Sequence, residues 1–406
     1  MKILFLSRWF PYPPDNGARI RVLNLIRYLT QIASVDLLAF HVKAADAEFL
    51  EMGLRECRTI GVVPYQPFHP TTIKALRGFF SMKPRSVITT HSKEMARRVK
   101  YALSGNHYDL VIASQRDMVD YLDGIDHPVA LLEEMELCAL YDAYIGERNL
   151  LRRFRAFLTW KKSAQYYHRI LSEFRATTVV SEEEKQVVQN VSPKGHAVIV
   201  IPNGLDLTRY HGTEVQPKNF TLLYCGSLTY QANYDAVYHF LESIFPEILA
   251  VYPQAKLRVT GALQGVNLDL LPNCNNVEFT GYLEDVRPVI AKCWISIVPL
   301  RIGGGTRLKI LESLAMGTPV IATLKGAQGL AIRSGEGMLI AETSRQFSQY
   351  VLDVFERPEL RQALSLAGRV SVRAYDWKKI GPQFNQLIFN LVHNTENEPI
   401  NLKPAS

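Results

Sequence analysis

The chain is 406 residues long, more than one hydrophobic core usually organises, so two domains are expected. Its hydrophobic share of 47% and charged share of 21% are ordinary for a globular protein, and exclude disorder, collagen-like repeats and coiled coil as the main architecture. The net charge of +7 is unevenly spread: residues 74–100 and 148–175 each hold eight Lys/Arg and one Glu, so these stretches carry +14 and the remainder about −7. Concentrated basic charge predicts an anionic surface or ligand near the first half.

The opening, MKILFLSRWFPYPP, has a short apolar stretch that Arg8 interrupts too early for a signal peptide, so it reads as a first strand. No apolar run is long enough to span a bilayer. The five cysteines are odd in number and widely spaced, which argues against a disulfide framework and predicts a reducing, cytoplasmic setting. The ten histidines form no His-x-His or His-Glu-x-x-His cluster, and no Asp-x-Asp occurs. Neither a metal nor a cofactor is expected.

In chain order, strands are predicted at 2–9, 35–40, 59–64, 108–114, 129–135, 176–181 and 197–203, with helices at 18–31 and near 45–55. Residues 137–175 read as one long amphipathic helical region, with Leu150, Phe154, Phe157, Ala164, Tyr167, Leu171 and Phe174 as an apolar stripe expected to face the core. Around 202–217 the pattern dissolves into Gly, Pro, Asn and polar residues, a linker. Alternation then restarts: strands at 221–227, 256–261, 277–281, 295–300 and 319–323, with helices at 233–251, 284–293 and 306–316. Strands separated by helices predict an α/β protein of two doubly wound, parallel-sheet domains with helices closing the C-terminus.

The densest signal is PLRIGGGTRLKILESLAMGTPVIAT, residues 299–323. A strand, three glycines and a helix start form a turn whose amides can approach an anion, with the helix dipole adding positive potential. Arg301, Arg307 and Lys309 surround that turn, and Lys309 and Glu312 are spaced to share one helical face. Amides and cations followed by a carboxylate would suit a phosphate and then a ribose. A tight turn followed by a surface ion pair fits the same letters. The stretch matches neither the P-loop nor Gly-x-Gly-x-x-Gly.

Residues 299–323 resemble the nucleotide-sugar signature of the family 4 glycosyltransferases, retaining enzymes of the GT-B fold, in a group 1 subgroup associated with polysaccharide and exopolysaccharide assembly. FPYPPDNGARIR (10–21) is similar to the glycine loop after that family's first strand. VVSEEEKQVV (179–188), VIPNGLDLTRY (200–210), YCGSLTYQANYDAV (224–237) and YDWKKI (375–380) resemble later segments in the family's order. The resemblance implies two Rossmann-like domains facing a cleft: 1–205 binding the acceptor, 206–375 binding the nucleotide sugar, and 376–406 a helix returning to the first domain with a flexible tail.

It further implies Arg307, Lys309 and Glu312 as catalytic residues, with Glu312 on the donor ribose. Gly17, Gly226, Arg301, Gly303, Gly304, Gly305 and Thr306 are implied at the donor. Gly304 stands where the family's first signature glutamate is usual, and no cation follows the second domain's first strand before Lys256. A diphosphate leaving without a metal needs cations at its oxygens, so Arg301, Arg307 and Lys309 are the expected replacements. The family's histidine after the strand YDLVIAS is also missing, which leaves Asp15, Gln115 and Arg116 as candidates for the acceptor or sugar. Family logic implies retention without a protein nucleophile, with the leaving phosphate helping to deprotonate the acceptor.

The function this predicts is transfer of a sugar, as a hexosyltransferase, from a nucleotide diphosphate to a lipid-linked or glycan acceptor in surface polysaccharide or glycolipid biosynthesis. A sugar-nucleotide epimerase of GT-B fold is the alternative. A nucleic-acid-binding or modifying protein would use the basic stretches, but no recognised motif supports it and no nucleic-acid partner is expected. Those stretches read either as a peripheral contact with an anionic membrane surface on the inner face, or as a solvated basic face.

Overall fold

The computed structural model describes residues 1–41, 47–210 and 215–393. It divides into two compact units, Met1–Asn203 together with the segment from Lys379 onward, and Gly204–Lys378. The expected flexible tail beyond 393 and the middle of the expected linker, 211–214, lie outside the described residues.

The first unit contains β1 (Lys2–Ser7), β2 (Ser34–His41), β3 (Thr59–Pro64), β4 (Leu110–Ser114), β5 (Ala130–Glu133), β6 (Ala176–Val179) and β7 (Ala197–Val200). They form one parallel sheet in the order β3-β2-β1-β4-β5-β6-β7. The central strands are apolar on both faces because helices cover both sides, as parallel sheets require. In β1, Ile3, Leu4, Phe5 and Leu6 are all fully buried. Leu4 and Leu6 pack in one cluster with Val111, Ala113 and Leu132 of the neighbouring strands. On helix Gly17–Leu29, Val22, Leu25, Ile26 and Leu29 are buried. The C-terminal helix Trp377–His393 packs beside it, where Asn385 Nδ2 donates to the Tyr28 carbonyl at 2.9 Å.

The second unit contains β8 (Lys218–Cys225), β9 (Lys256–Thr260), β10 (Val277–Gly281), β11 (Cys293–Val298), β12 (Val320–Thr323) and β13 (Met338–Ala341), again all parallel, in the order β10-β9-β8-β11-β12-β13. In each sheet the chain begins near the middle, winds outward one way, then returns to wind the other way. Connections therefore diverge between β1 and β4 and between β8 and β11. Each such switch point opens a crevice at the carboxyl ends of the strands, the place where doubly wound sheets bind ligands.

Several expected elements differ in extent. The region 137–175 is two helices, Cys138–Ile145 and Leu150–Leu171, parted at Gly146. Its stripe divides too: Tyr167, Leu171 and Phe174 are core, whereas Leu150 and Phe154 are exposed. The helix expected over 233–251 breaks into Gln231–Ser243 and Phe245–Val251, because Pro246 opens a new first turn. Strand 129–135 ends at Glu133, since Glu134 takes a left-handed φ of 55°. Helix 306–316 begins only at Leu308.

Candidate functional site

The site in the second unit grows from the β8/β11 switch point. Chain leaving β8 makes its turn at Gly226, and chain leaving β11 runs through Arg301 to the glycine turn 303–305 and then into helix Leu308–Ala315. Gly303 has a φ of 107°, which strains any side-chain-bearing residue, and a Cβ there would lie 3.1 Å from the Ala232 methyl. Gly226 is needed for a different reason. A Cβ on it would stand 2.7 Å from Lys309 Nζ and 2.9 Å from Asn233 Nδ2. The Lys309 ammonium thus occupies the space that glycine leaves.

Lys309 Nζ donates to Asn233 Oδ1 at 3.0 Å and to the Tyr224 hydroxyl at 3.2 Å, and lies 4.4 Å from the centre of the Tyr224 ring. Tyr224 in turn donates to Asn233 Oδ1 at 2.8 Å, and Asn233 Nδ2 to the Ser227 carbonyl at 2.8 Å. Burial, with the Arg307 charge adding to it, pushes the Lys309 ammonium down to about 8. Three residues on, Glu312 is half-buried and accepts from the Tyr210 hydroxyl at 3.2 Å. Burial raises its carboxyl above the usual range, while Tyr210 and Lys309 pull partly the other way. The helix supplies this pairing because residues three apart project from one face.

The three cations expected at a phosphate have different roles. Arg307 is buried, and its guanidinium donates to the Gly304 carbonyl, to the Gly303 carbonyl at 3.0 Å and to the Lys325 carbonyl at 3.4 Å. It staples the glycine turn from within, because those carbonyls point back toward the helix start. Arg301 is paired with Asp235 through Nη2–Oδ1 at 2.5 Å and Nε–Oδ2 at 3.1 Å. Lys309 is the one held beside Gly226, where the sequence shows no cation following β8. Gly304, Gly305 and Thr306 complete the loop between the staple and the helix.

In the first unit the candidates fall at the other switch point. Ser7 of β1 pairs with Ser114 of β4, so the residues that follow each strand leave side by side. After β1, Gly17 opens helix Gly17–Leu29, whose cap Asn16 accepts from the Arg19 amide at 3.1 Å, and exposed Asp15 pairs with Arg19 at 3.0 Å. After β4, Gln115 takes a φ of 70° and donates to Glu134 Oε2 at 2.6 Å, while Arg116 reaches the Glu136 carbonyl at 3.4 Å.

The sequence reading missed several residues here. Arg8, buried at the end of β1, lies 3.5 Å from Asp117 and stacks on the Tyr65 and Trp9 rings. Fully buried Arg21 pairs with Glu133 at 2.6 Å and donates to Asn203 Oδ1 at 2.9 Å, and Ser114 closes the cluster on Glu133 Oε2 at 2.6 Å. Burial beside Glu133 holds the Glu134 carboxyl well above its usual range. A signal existed: two glutamates directly after the apolar run ALL are out of place unless they are partnered. Among the described residues, no group of three His, Cys, Asp or Glu is placed to hold a metal ion.

Residues 219–357, within the second unit, match the family model of the glycosyl transferases group 1. An uncharacterized 44.6 kDa protein in the cps region of Klebsiella pneumoniae is 21% identical over 368 residues, 87% of this chain and 90% of its own length. Sucrose-phosphate synthase from Thermosynechococcus elongatus superposes with a TM-score of 0.68 at 17% identity, covering 96% of this chain and 99% of its own. The Anabaena protein HepE, solved in complex with UDP, gives a TM-score of 0.63 at 16% identity, covering 96% and 100%. The fold is therefore that of the GT-B glycosyltransferases, and the match over 219–357 supports a glycosyltransferase.

Proposed function

We propose that the second unit binds a nucleotide-diphosphate sugar and that the protein transfers the sugar to an acceptor held by the first unit. The observation that carries this reading is the β8/β11 crevice. There a glycine turn, an ammonium and a carboxylate one helical turn apart converge inside the segment that matches the group 1 glycosyl transferases. The diphosphate lies against the turn amides and Lys309, and the ribose hydroxyls donate to Glu312. Arg307 acts by shaping the turn.

During transfer the bond between the sugar's anomeric carbon and the phosphate oxygen breaks, with its electron pair going to the phosphate. Lys309 then faces growing negative charge in a partly buried setting, where a fixed cation is worth more than in water. The acceptor oxygen bonds to the anomeric carbon, and its proton passes to the departing phosphate. The product retains configuration, and no protein nucleophile is required. Asp15, Gln115 and Arg116, which follow β1 and β4, are the candidates to meet the acceptor or the sugar. The acceptor is a lipid-linked sugar or growing glycan, the sugar a hexose, and the setting surface polysaccharide or glycolipid assembly. HepE, a protein of the same fold, was solved with UDP, which supports a nucleotide-diphosphate donor.

Incubation with a panel of nucleotide sugars tests this reading. Expected without acceptor is tight binding of one donor and at most slow hydrolysis. Conversion of the nucleotide sugar to its epimer without acceptor would establish the epimerase instead, and failure to bind any nucleotide sugar would overturn both.

A further inference from the structure

We infer that the first unit docks on an anionic lipid bilayer through one basic face tipped with apolar side chains. The face is built from helix Leu150–Leu171 and the segment 73–82. The C-terminal half of the helix is core, with Tyr166, Tyr167, Ile170 and Leu171 buried. Its first residues, 150–155, are exposed on every side. Leu150, Leu151 and Phe154 there are 80%, 83% and 61% exposed.

The segment 73–82 shows the same pattern. Phe80 and Met82 are 96% and 83% exposed, and Ile73 and Phe79 are exposed beside them. Two contacts hold the arrangement in place. Lys162 Nζ donates to the Gly78 carbonyl at 2.7 Å, which ties the segment to the long helix. Arg85 donates to the Ala75 and Pro70 carbonyls, both at 2.7 Å, and stacks 3.9 Å from the Phe79 ring. The apolar tips are thus presented by a braced backbone.

Charge identifies the occupant. Lys74, Arg148, Arg152, Arg153 and Arg155, in or beside the same two segments of the chain, are exposed as well. A second copy of the chain in a two-fold contact would set those cations against their own symmetry mates. Nucleic acid would pair the cations but give Phe80, Met82, Leu150 and Leu151 nothing to bury against. A bilayer surface with acidic headgroups satisfies both sets, with cations at the headgroup level and leucine and phenylalanine tips below it. No helix among the described residues is long and apolar enough to cross a membrane, so the contact is interfacial. The surface stands independently of the donor site, since it uses no residue of the second unit.

Sedimentation of the full chain with phosphatidylglycerol–phosphatidylcholine vesicles, against pure phosphatidylcholine vesicles, decides the matter. Binding is expected on the acidic vesicles only and fades as salt shortens the screening length. The pair Arg152→Gln and Arg155→Gln should lower that binding about tenfold or more. The pair Phe80→Ser and Leu151→Ser should lower it about tenfold, and both pairs should leave the melting temperature and nucleotide binding unchanged because these side chains pack on nothing. Equal binding to neutral and acidic vesicles, no binding to either, or a dimer in sedimentation velocity that the serine pair dissolves would each overturn the assignment. Normal nucleotide binding alongside such a result would leave the transferase reading standing.

Discussion

In the proposed donor site Lys309 and Glu312 take different parts of the chemistry. Because Glu312 offers a carboxylate to a hydroxyl, Glu312→Ala should weaken nucleotide affinity by about 1–3 kcal/mol, measured by titration calorimetry. Lys309→Ala should instead lower turnover by about a hundredfold or more with a smaller change in donor affinity, because its charge matters most as the diphosphate departs. The same lysine sets a pH limit. It is charged below its depressed value of about 8, so kcat/KM should fall as pH rises through that region. A profile flat to pH 10 would remove Lys309 from catalysis. The motif at 299–323 made both residues legible, since their spacing on a helix is a local property. Their partners Asn233, Tyr224 and Tyr210 were not, because they stand 76, 85 and 102 positions away and meet them only through the sheet.

At the scale of elements, the glycine turn is a structure with its own staple. Arg307, the residue before helix Leu308–Ala315, donates to the Gly303 and Gly304 carbonyls, and the helix has no side-chain cap hydrogen bond. Arg307→Ala should therefore reduce donor binding by loosening the turn, and a lysine in its place should rescue little, since one ammonium cannot replace a planar fork with several donors. Gly226→Ala is a sharper test of the same geometry. Its Cβ would displace the Lys309 ammonium and crowd the Asn233 side chain, so turnover should drop in a steady-state assay. The aromatic stripe of 150–174 shows where periodicity stops informing. Apolar spacing marks a face but not what covers it, and here the body of the unit covers only the C-terminal half.

Across the whole molecule, both sheets place polar residues at their switch points, yet the two crevices are built differently. The second unit's crevice holds a half-buried lysine and glutamate, whereas the first unit's rests on the fully buried Arg21–Glu133 pair. Removing one member of such a pair leaves the other charge uncompensated, so Glu133→Leu should destabilise the protein by about 3–5 kcal/mol in urea unfolding. Transfer should persist in excess chelator if, as proposed, the cation that meets the diphosphate is Lys309. Activity lost in EDTA and restored by magnesium or manganese would contradict that mechanism.

Alternation of apolar runs with helical periods determined the class of fold, since a parallel sheet buried on both faces needs such strands and needs helices between them. Local spacing likewise put Lys309 and Glu312 on one helical face after a glycine turn, and the resemblance to a nucleotide-sugar signature singled them out. Only tertiary structure decided which cation meets the vacant space at Gly226, because Arg301, Arg307 and Lys309 look alike in sequence and are separated by partners brought from elsewhere: Asp235, the turn carbonyls and Asn233. The same holds for the basic stretches. Their charge is countable from composition, but whether an arginine braces a carbonyl, as Arg85 does, or stands in solvent, as Arg152 does, depends on what the folded chain places beside it.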